Sequence, residues 1–313
     1  MSRSAVRTSS GRNRWCRLAV SAAAILTALI SLSAAVQDPA PTEAPLPAPE
    51  SFLKEVRTRL ETNAARQFGY SYLETQRRTS IDGSGRRREE PATILESYPG
   101  LPGEERWERV VQRKGKPISE AELKEKDDER RRKAERYAQQ LTQESAADRA
   151  KAARRADQDR RERAVLVDDV FVVYAVDMVG RERIEGHDTI AFTLTPRPQA
   201  RPRTRDGRMM RSFRGRAWVS ETDFELARLD VEAIEAVSIG LGLLARVHKG
   251  TSLSFTRRKV NGEAWLPARV QYEVSARFLL LKRFREGGVS EFSDYRKFTV
   301  DTAADIQAPR ETR

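Results

Sequence analysis

One cysteine and two histidines are all that this 313-residue chain offers in thiols and imidazoles. That scarcity excludes an intrachain disulfide framework and an ordinary zinc site. His187 sits in Glu185-Gly186-His187-Asp188 and His248 precedes Lys249-Gly250, both of which read as solvated turns. No His-x-x-x-His spacing, Gly-x-Ser-x-Gly elbow, Ser-x-x-Lys pair or phosphate-cradling loop is present. Gly240-Leu241-Gly242-Leu243-Leu244 lacks the strand-then-helix context that a nucleotide loop needs. The acid pairs Asp127-Asp128 and Asp168-Asp169 read as charged surface. The chain is expected to be no enzyme and to need no cofactor or metal.

Acids are also missing before Leu18, where five arginines precede a seventeen-residue apolar run closed by Ser33-Ala34-Ala35. Basic start, apolar middle and small-residue exit form a secretory signal over residues 1–35, which places the mature chain in the periplasm. The alternative is an uncleaved anchor, since the run approaches the roughly 17–25 residues of a spanning helix. Its centre, mostly Ala, Ser and Thr, favours cleavage, after which no integral span remains. Cleavage removes Cys16, the one cysteine, and takes the formal charge from +12 to about +7. Outside the cytoplasm a diffuse basic surface meets anionic lipid or protein sooner than nucleic acid.

Residues 36–50, with five prolines among Ala, Glu and Thr, read as an extended linker. One domain is expected over 51–303 and a disordered tail over 304–313. Phe52, Val56, Leu60 and Ala64, with Leu53 beside them, form one apolar helical stripe, with Ser51 at the N-cap position. Phe68, Tyr70 and Tyr72 then alternate, Asp82-Gly83-Ser84-Gly85 marks a turn, and Trp107, Val110 and Val111 mark a strand.

From Glu120 to Arg163 there is neither Gly nor Pro, and charge dominates. This insert, 119–164, is expected to be helical, with Ser119 and Glu122 as a capping box and Ser145 with Asp148 starting a second arm. Its few apolar positions sustain no heptad. It reads as a solvated arm held by i,i+4 ion pairs, or as an arm through which an envelope protein partner is met.

After Val165 the period is two. Ile190, Phe192 and Leu194 alternate with small or polar residues, as do Leu229 and Val231, Leu253 and Phe255. A single long strand is expected over 270–284, with Val270, Tyr272, Val274, Ala276, Phe278, Leu280 and Phe284 on one face. One dry and one wet face define an antiparallel sheet, and strands of this length must coil. The Arg- and Pro-rich tract 197–211 reads as an exposed, poorly ordered loop.

The succession Val179-Gly180-Arg181-Glu182-Arg183-Ile184-Glu185-Gly186-His187, Gly215-Arg216-Ala217-Trp218-Val219-Ser220 and Gly262-Glu263-Ala264-Trp265-Leu266-Pro267 resembles the outer-membrane lipoprotein-sorting proteins. Those form the LolA/LolB-like superfamily, which includes RseB-type periplasmic sensors. The resemblance extends to Phe292-Ser293-Asp294-Tyr295 and covers 165–300 well and 51–115 loosely. It implies a mainly β (α+β) fold, a curved antiparallel sheet or unclosed barrel wrapping a helix around an apolar cavity for acyl chains. The charged helical insert departs from the compact family form. On this reading the chain is a carrier or binding module for an acyl chain or lipidated protein; the alternative is an envelope sensor or assembly protein. Val237–Val247, apolar with two glycines, reads either as a plug closing the sheet or as a mobile gate. The candidate cavity or gate residues are Trp218, Leu241, Leu243, Leu244, Trp265 and Phe278.

Overall fold

A computed structural model of the chain describes residues 45–62, 69–82, 84–100, 106–239, 245–278 and 282–297. The signal, most of the linker, Ala64, Leu241, Leu243, Leu244, Leu280 and the tail lie outside them.

Among the described residues fourteen strands form one curved, unclosed antiparallel sheet. In chain order they are β1 (Tyr70–Ile81), β2 (Arg87–Glu89), β3 (Thr93–Tyr98), β4 (Trp107–Arg113), β5 (Lys116–Pro117), β6 (Tyr174–Ile184) and β7 (His187–Pro196). There follow β8 (Phe213–Ser220), β9 (Leu226–Ala233), β10 (Val237–Ile239), β11 (Ala245–Val247), β12 (Ser252–Val260), β13 (Ala264–Phe278) and β14 (Lys282–Lys297). The spatial order is β5-β4-β3-β1-β14-β13-β12-β9-β8-β7-β6, with β10–β11 a hairpin laid on β13. Register shifts interrupt the pairing of β1 at Ser71/Leu73, β6 at Met178/Gly180, β8 at Trp218/Val219 and β12 at Thr256/Arg257. Each adds local twist, so the long strands coil instead of lying flat.

The run 270–284 is not one strand: it crosses from β13 into β14. The period of two survives because opposed positions share a face, and Ala276 stands opposite Phe284. On the outer face charges alternate across strands, with Arg269 opposite Glu291, Arg214 opposite Glu232 and Arg216 opposite Asp230.

Helix α1 (Pro49–Thr62) lies on the inner face. It begins two residues before Ser51, with Pro49 in the first turn where its missing N–H costs nothing. Ser51 is therefore no N-cap; its hydroxyl donates to the Ala48 carbonyl at 3.1 Å. Phe52 and Val56 are buried against Ile190, Phe192 and Val219, with Phe52 stacked on Phe192 and tilted on Phe224 at 5.9 and 5.2 Å.

The insert forms α2 (Glu120–Gln143) and α3 (Ala146–Val173). Ser145 and Asp148 make the expected capping box. At Ser119 the hydroxyl accepts from the Glu122 amide at 3.3 Å, while the Glu122 carboxylate takes Arg113 at 2.9 Å. Helix α3 runs nine residues past the expected boundary at 164. The β-branched run 165–173 reads as a strand in isolation, but Leu166, Val170 and Val173 recur at helical spacing. That stripe packs on Tyr174, Ala200 and Met210.

The tract 197–211 is ordered, a correction to its reading as a loose loop. It contains α4 (Arg205–Met210), N-capped by Thr204. The carboxylate of Asp169, itself 1% exposed, accepts from the Arg203 and Thr204 amides at 2.8 and 2.7 Å and from the Thr204 hydroxyl at 2.5 Å. Burial pushes its pKa up, and these hydrogen bonds together outweigh that and hold it below the usual range. Asp169 is thus a buried clamp and not charged surface. At Gly207 an added Cβ would stand 2.4 Å from the Asp169 Oδ2.

Asp169→Ala is expected to cost about 1–2 kcal/mol by taking their acceptor from the part-buried Arg203 and Thr204 amides. Gly207→Ala disturbs the same clamp and should also lower the melting temperature. Because the folded pKa is depressed, the contribution is present above the unfolded value near 4 and is lost as pH falls through the folded pKa. Melting curves of wild type and Asp169→Ala should converge below pH 4; parallel curves down to pH 2 would refute the clamp.

Candidate functional site

An open sheet leaves an inner face that one helix cannot cover. The apolar stripe of α1 engages β6, β7 and β8. Further along the same face Leu253, Phe255, Val270, Tyr272 and Val274 remain half-buried on β12 and β13. Tyr272 lies over Gly288, where an added Cβ would stand 2.5 Å from the ring, and its hydroxyl donates to Glu286 at 3.0 Å. Glycine at 288 therefore lets an aromatic ring lie flat on the sheet, giving a smooth apolar strip with a polar rim.

Two of the six candidate residues have described side chains, and polar partners hold both. Trp218 alternates with Ala217 and Val219, which face inward, and so belongs to the outer face. Its indole N–H donates to Glu182 at 2.7 Å, and the guanidinium groups of Arg216 and Arg228 each stand 5.0 Å from its ring. Trp265, 1% exposed, donates to Asp223 Oδ2 at 2.8 Å. Lys259 reaches the same carboxylate at 2.9 Å, and the His187 ring meets the indole edge-on at 5.0 Å. Trp265 thereby ties together the β6–β7, β8–β9 and β12–β13 turns. The motifs that carry the family resemblance converge here as a framework.

Beside Trp265, Arg257 is almost completely buried and pairs with Glu225 at 3.4 Å and the Leu226 carbonyl at 3.1 Å. Burial lowers its pKa to about 10, leaving it charged at neutral pH. Phe278 ends β13 opposite Ala245 and Lys282. Leu241, Leu243 and Leu244 lie between β10 and β11, outside the described residues. The flanks of that segment form a hairpin, not a helix.

A cluster not read from the sequence lies at the start of β4. Arg106 donates from Nε to the Ser97 hydroxyl at 2.8 Å and from Nη2 to the Tyr70 carbonyl. Its guanidinium stands 4.5 Å over the Tyr72 ring, which meets Phe292 edge-on at 5.5 Å. Burial lowers the Arg106 pKa and raises that of Tyr72. The alternation Tyr70, Tyr72 is visible in the sequence, but the arginine that covers it comes from another strand. A concavity of about 230 Å³, lined by Lys249, Gly250, Glu273, Ser275 and Arg285, is polar and smaller than most small-molecule sites. Among the described residues no three His, Cys, Asp or Glu side chains are grouped to hold a metal.

No family model matches the chain, and no curated protein matches it in sequence. Solved structures do resemble it. A putative outer membrane lipoprotein-sorting protein domain from Vibrio parahaemolyticus is 8% identical, aligned over 82% of this chain and 95% of that chain, with a TM-score of 0.31. A LolA superfamily protein from Nitrosomonas europaea is 9% identical over 80% of this chain and 93% of that chain, with a TM-score of 0.25. The MucA/MucB complex of Pseudomonas aeruginosa aligns at 10% identity over 80% of this chain and 99% of that chain, with a TM-score of 0.21.

The Trp265 framework makes its own prediction. Asp223→Ala leaves a buried indole N–H and a lysine unpaired and should cost about 2 kcal/mol. Burial raises the Asp223 pKa, but Lys259 and Trp265 together hold it below the usual range. The stabilisation should therefore be full above about pH 4 and fade as pH falls further. Chemical denaturation at pH 7 and pH 3 checks this; an equal deficit at both would contradict it.

Proposed function

We propose that the chain is an exported, non-catalytic binding module whose inner face takes an acyl chain or a lipidated protein in the cell envelope. One observation carries the reading: among the described residues α1 packs on the β6–β8 part of the inner face, and the strip from Leu253 to Val274 is half-buried. Apolar surface of this kind gains about 25 cal/mol for each Å² removed from water, and an acyl chain fits a strip better than it fits a closed pocket. The apparent secretory signal and the resemblance to lipoprotein-sorting proteins support the same reading. No helix among the described residues is long and apolar enough to cross a membrane.

Native mass spectrometry of protein taken from its host's envelope should find co-purifying lipid or uptake of a fatty-acyl probe. Reproducibly ligand-free protein that ignores such probes would overturn the proposal. Val274→Glu places a carboxylate on the strip at a half-buried position, where water can still reach it. It should weaken probe binding about tenfold, or about 1.4 kcal/mol, with little loss of melting temperature.

A second reading, an envelope sensor or assembly protein, is favoured by α3. Its first turns, residues 146–156, are exposed on every side, and 146–163 carry seven Lys and Arg against four acids. Alanines give this arm its helicity without packing, so a binding partner could cover it at little cost in structure. Crosslinking separates the two: capture of a protein through 146–163 supports the second reading, capture of lipoproteins through β12–β13 the first.

A further inference from the structure

The two helices of the charged insert are attached to the sheet in different ways. Helix α3 buries Val167, Asp169 and Val173 near its end. None of the described side chains of α2 is buried: Glu122, Leu123, Asp128, Arg130 and Tyr137 are half-buried and the others exposed. What α2 lies on is a sheet edge. On the side of β4 away from β3, the Ile118 amide donates to the Val111 carbonyl at 3.0 Å, and Gln112 and Arg113 stand opposite Pro117 and Lys116. Among the described residues no strand pairs with that side of 107–110. An unpaired edge invites the addition of another strand, and a covering helix is one way that sheets prevent it.

Contact between α2 and β4 runs along both elements in order. Arg113 pairs with Glu122 at 2.9 Å, Arg109 pairs with Asp127 at 2.5 Å, and Arg130 reaches Trp107 and its cross-strand neighbour Tyr98. The Arg130 guanidinium stands 4.4 Å from the Tyr98 ring centre and 5.0 Å from that of Trp107, and the rings lie 5.5 Å apart, tilted at 51°. Burial lowers the Arg130 pKa, so this cation has given up water for the rings, where such contacts are strongest. The carboxylates of Glu122 and Asp127 are 43% and 52% exposed, and ion pairs in water hold little.

Lifting α2 away would leave no buried charge stranded on the sheet. Arg109 keeps the Glu96 carboxylate, to which its Nε donates at 2.9 Å, and the Tyr98 hydroxyl keeps the same carboxylate at 2.8 Å. Glu122, Asp127 and Arg130 would pass into water. Non-helical joints at 118–119 and 144–145 flank the helix and allow it to swing. We propose that α2 is a releasable guard over the β4 edge, latched by Arg130 on the Tyr98–Trp107 rings, which opens while the rest of the fold stays intact. The guard is independent of the inner-face ligand, because it rests on α2, β3 and β4 alone.

The test is hydrogen exchange of the host-processed protein, read by mass spectrometry alongside its melting temperature. Amides of α2 should exchange through a local opening, well before those of 165–173 in the buried end of α3. Added salt should speed the α2 exchange by screening its ion pairs. Arg130→Ala should speed it at least about fivefold with no loss of melting temperature. Arg132→Ala changes the same residue type in the same helix at an exposed position, and should exchange as wild type does. Four results would each overturn the proposal: α2 as protected as 165–173, no faster exchange in Arg130→Ala, an equal effect of Arg132→Ala, or a lowered melting temperature in Arg130→Ala.

Discussion

An antiparallel sheet that curves without closing has an inner face to fill, and in this molecule a single helix fills part of it. Phe52, set between Phe192 and Phe224, is the contact through which the two are joined. Burying a phenylalanine gains about 2–3 kcal/mol, and the pairing also fixes the helix axis across β6, β7 and β8. The geometry of the remaining inner face, a half-exposed strip on β12 and β13, follows from where that helix stops.

Away from the helix, two carboxylates hold the strand connections, Asp169 fully buried and Asp223 half-buried. Asp169 clamps 197–211 at one end of the strands, and Asp223 joins Trp265 and Lys259 at the other. Both sit in surroundings that disfavour charge, and both stay ionised because several donors converge on them. A buried ion would cost several kcal/mol if left alone. Satisfied as they are, these carboxylates give the connections single conformations without any large apolar core of their own. The consequence for function is that the Arg- and Pro-rich tract is presented rigidly and not as a floating tail.

The two ends of the strands consequently differ in character. One is a closed framework of turns built on Trp265, Asp223 and His187, with its charges paired. At the other, Arg197 and Arg211 donate to backbone carbonyls, while Arg285 pairs with Glu273 and Arg203 with Asp168. Arg246 and Arg277 stand directly opposite each other across β11 and β13, a like-charge pairing that costs folding free energy. The exposed arm of α3, by contrast, is helical through its alanines and ion pairs, and costs the fold little.

Much of this was legible in the residues themselves. The apolar stripe of α1, the period-two strands, the capping box at Ser145 and the turn at Asp82 are local patterns, and local physics decides them. Errors came where one local pattern served two structures. The run Val165–Val173 has strand-like composition but winds as helix because Leu166, Val170 and Val173 meet Met210 and Ala200 from a distant segment. The run 270–284 keeps its period through a hairpin because opposed residues share a face. Which face Trp218 takes, that Asp169 is buried, that Arg106 lies on Tyr72, and that three arginines align across β11, β13 and β14 are matters of register between segments far apart in sequence. Only tertiary pairing decides them, since a shift of one residue would send every side chain to the other face.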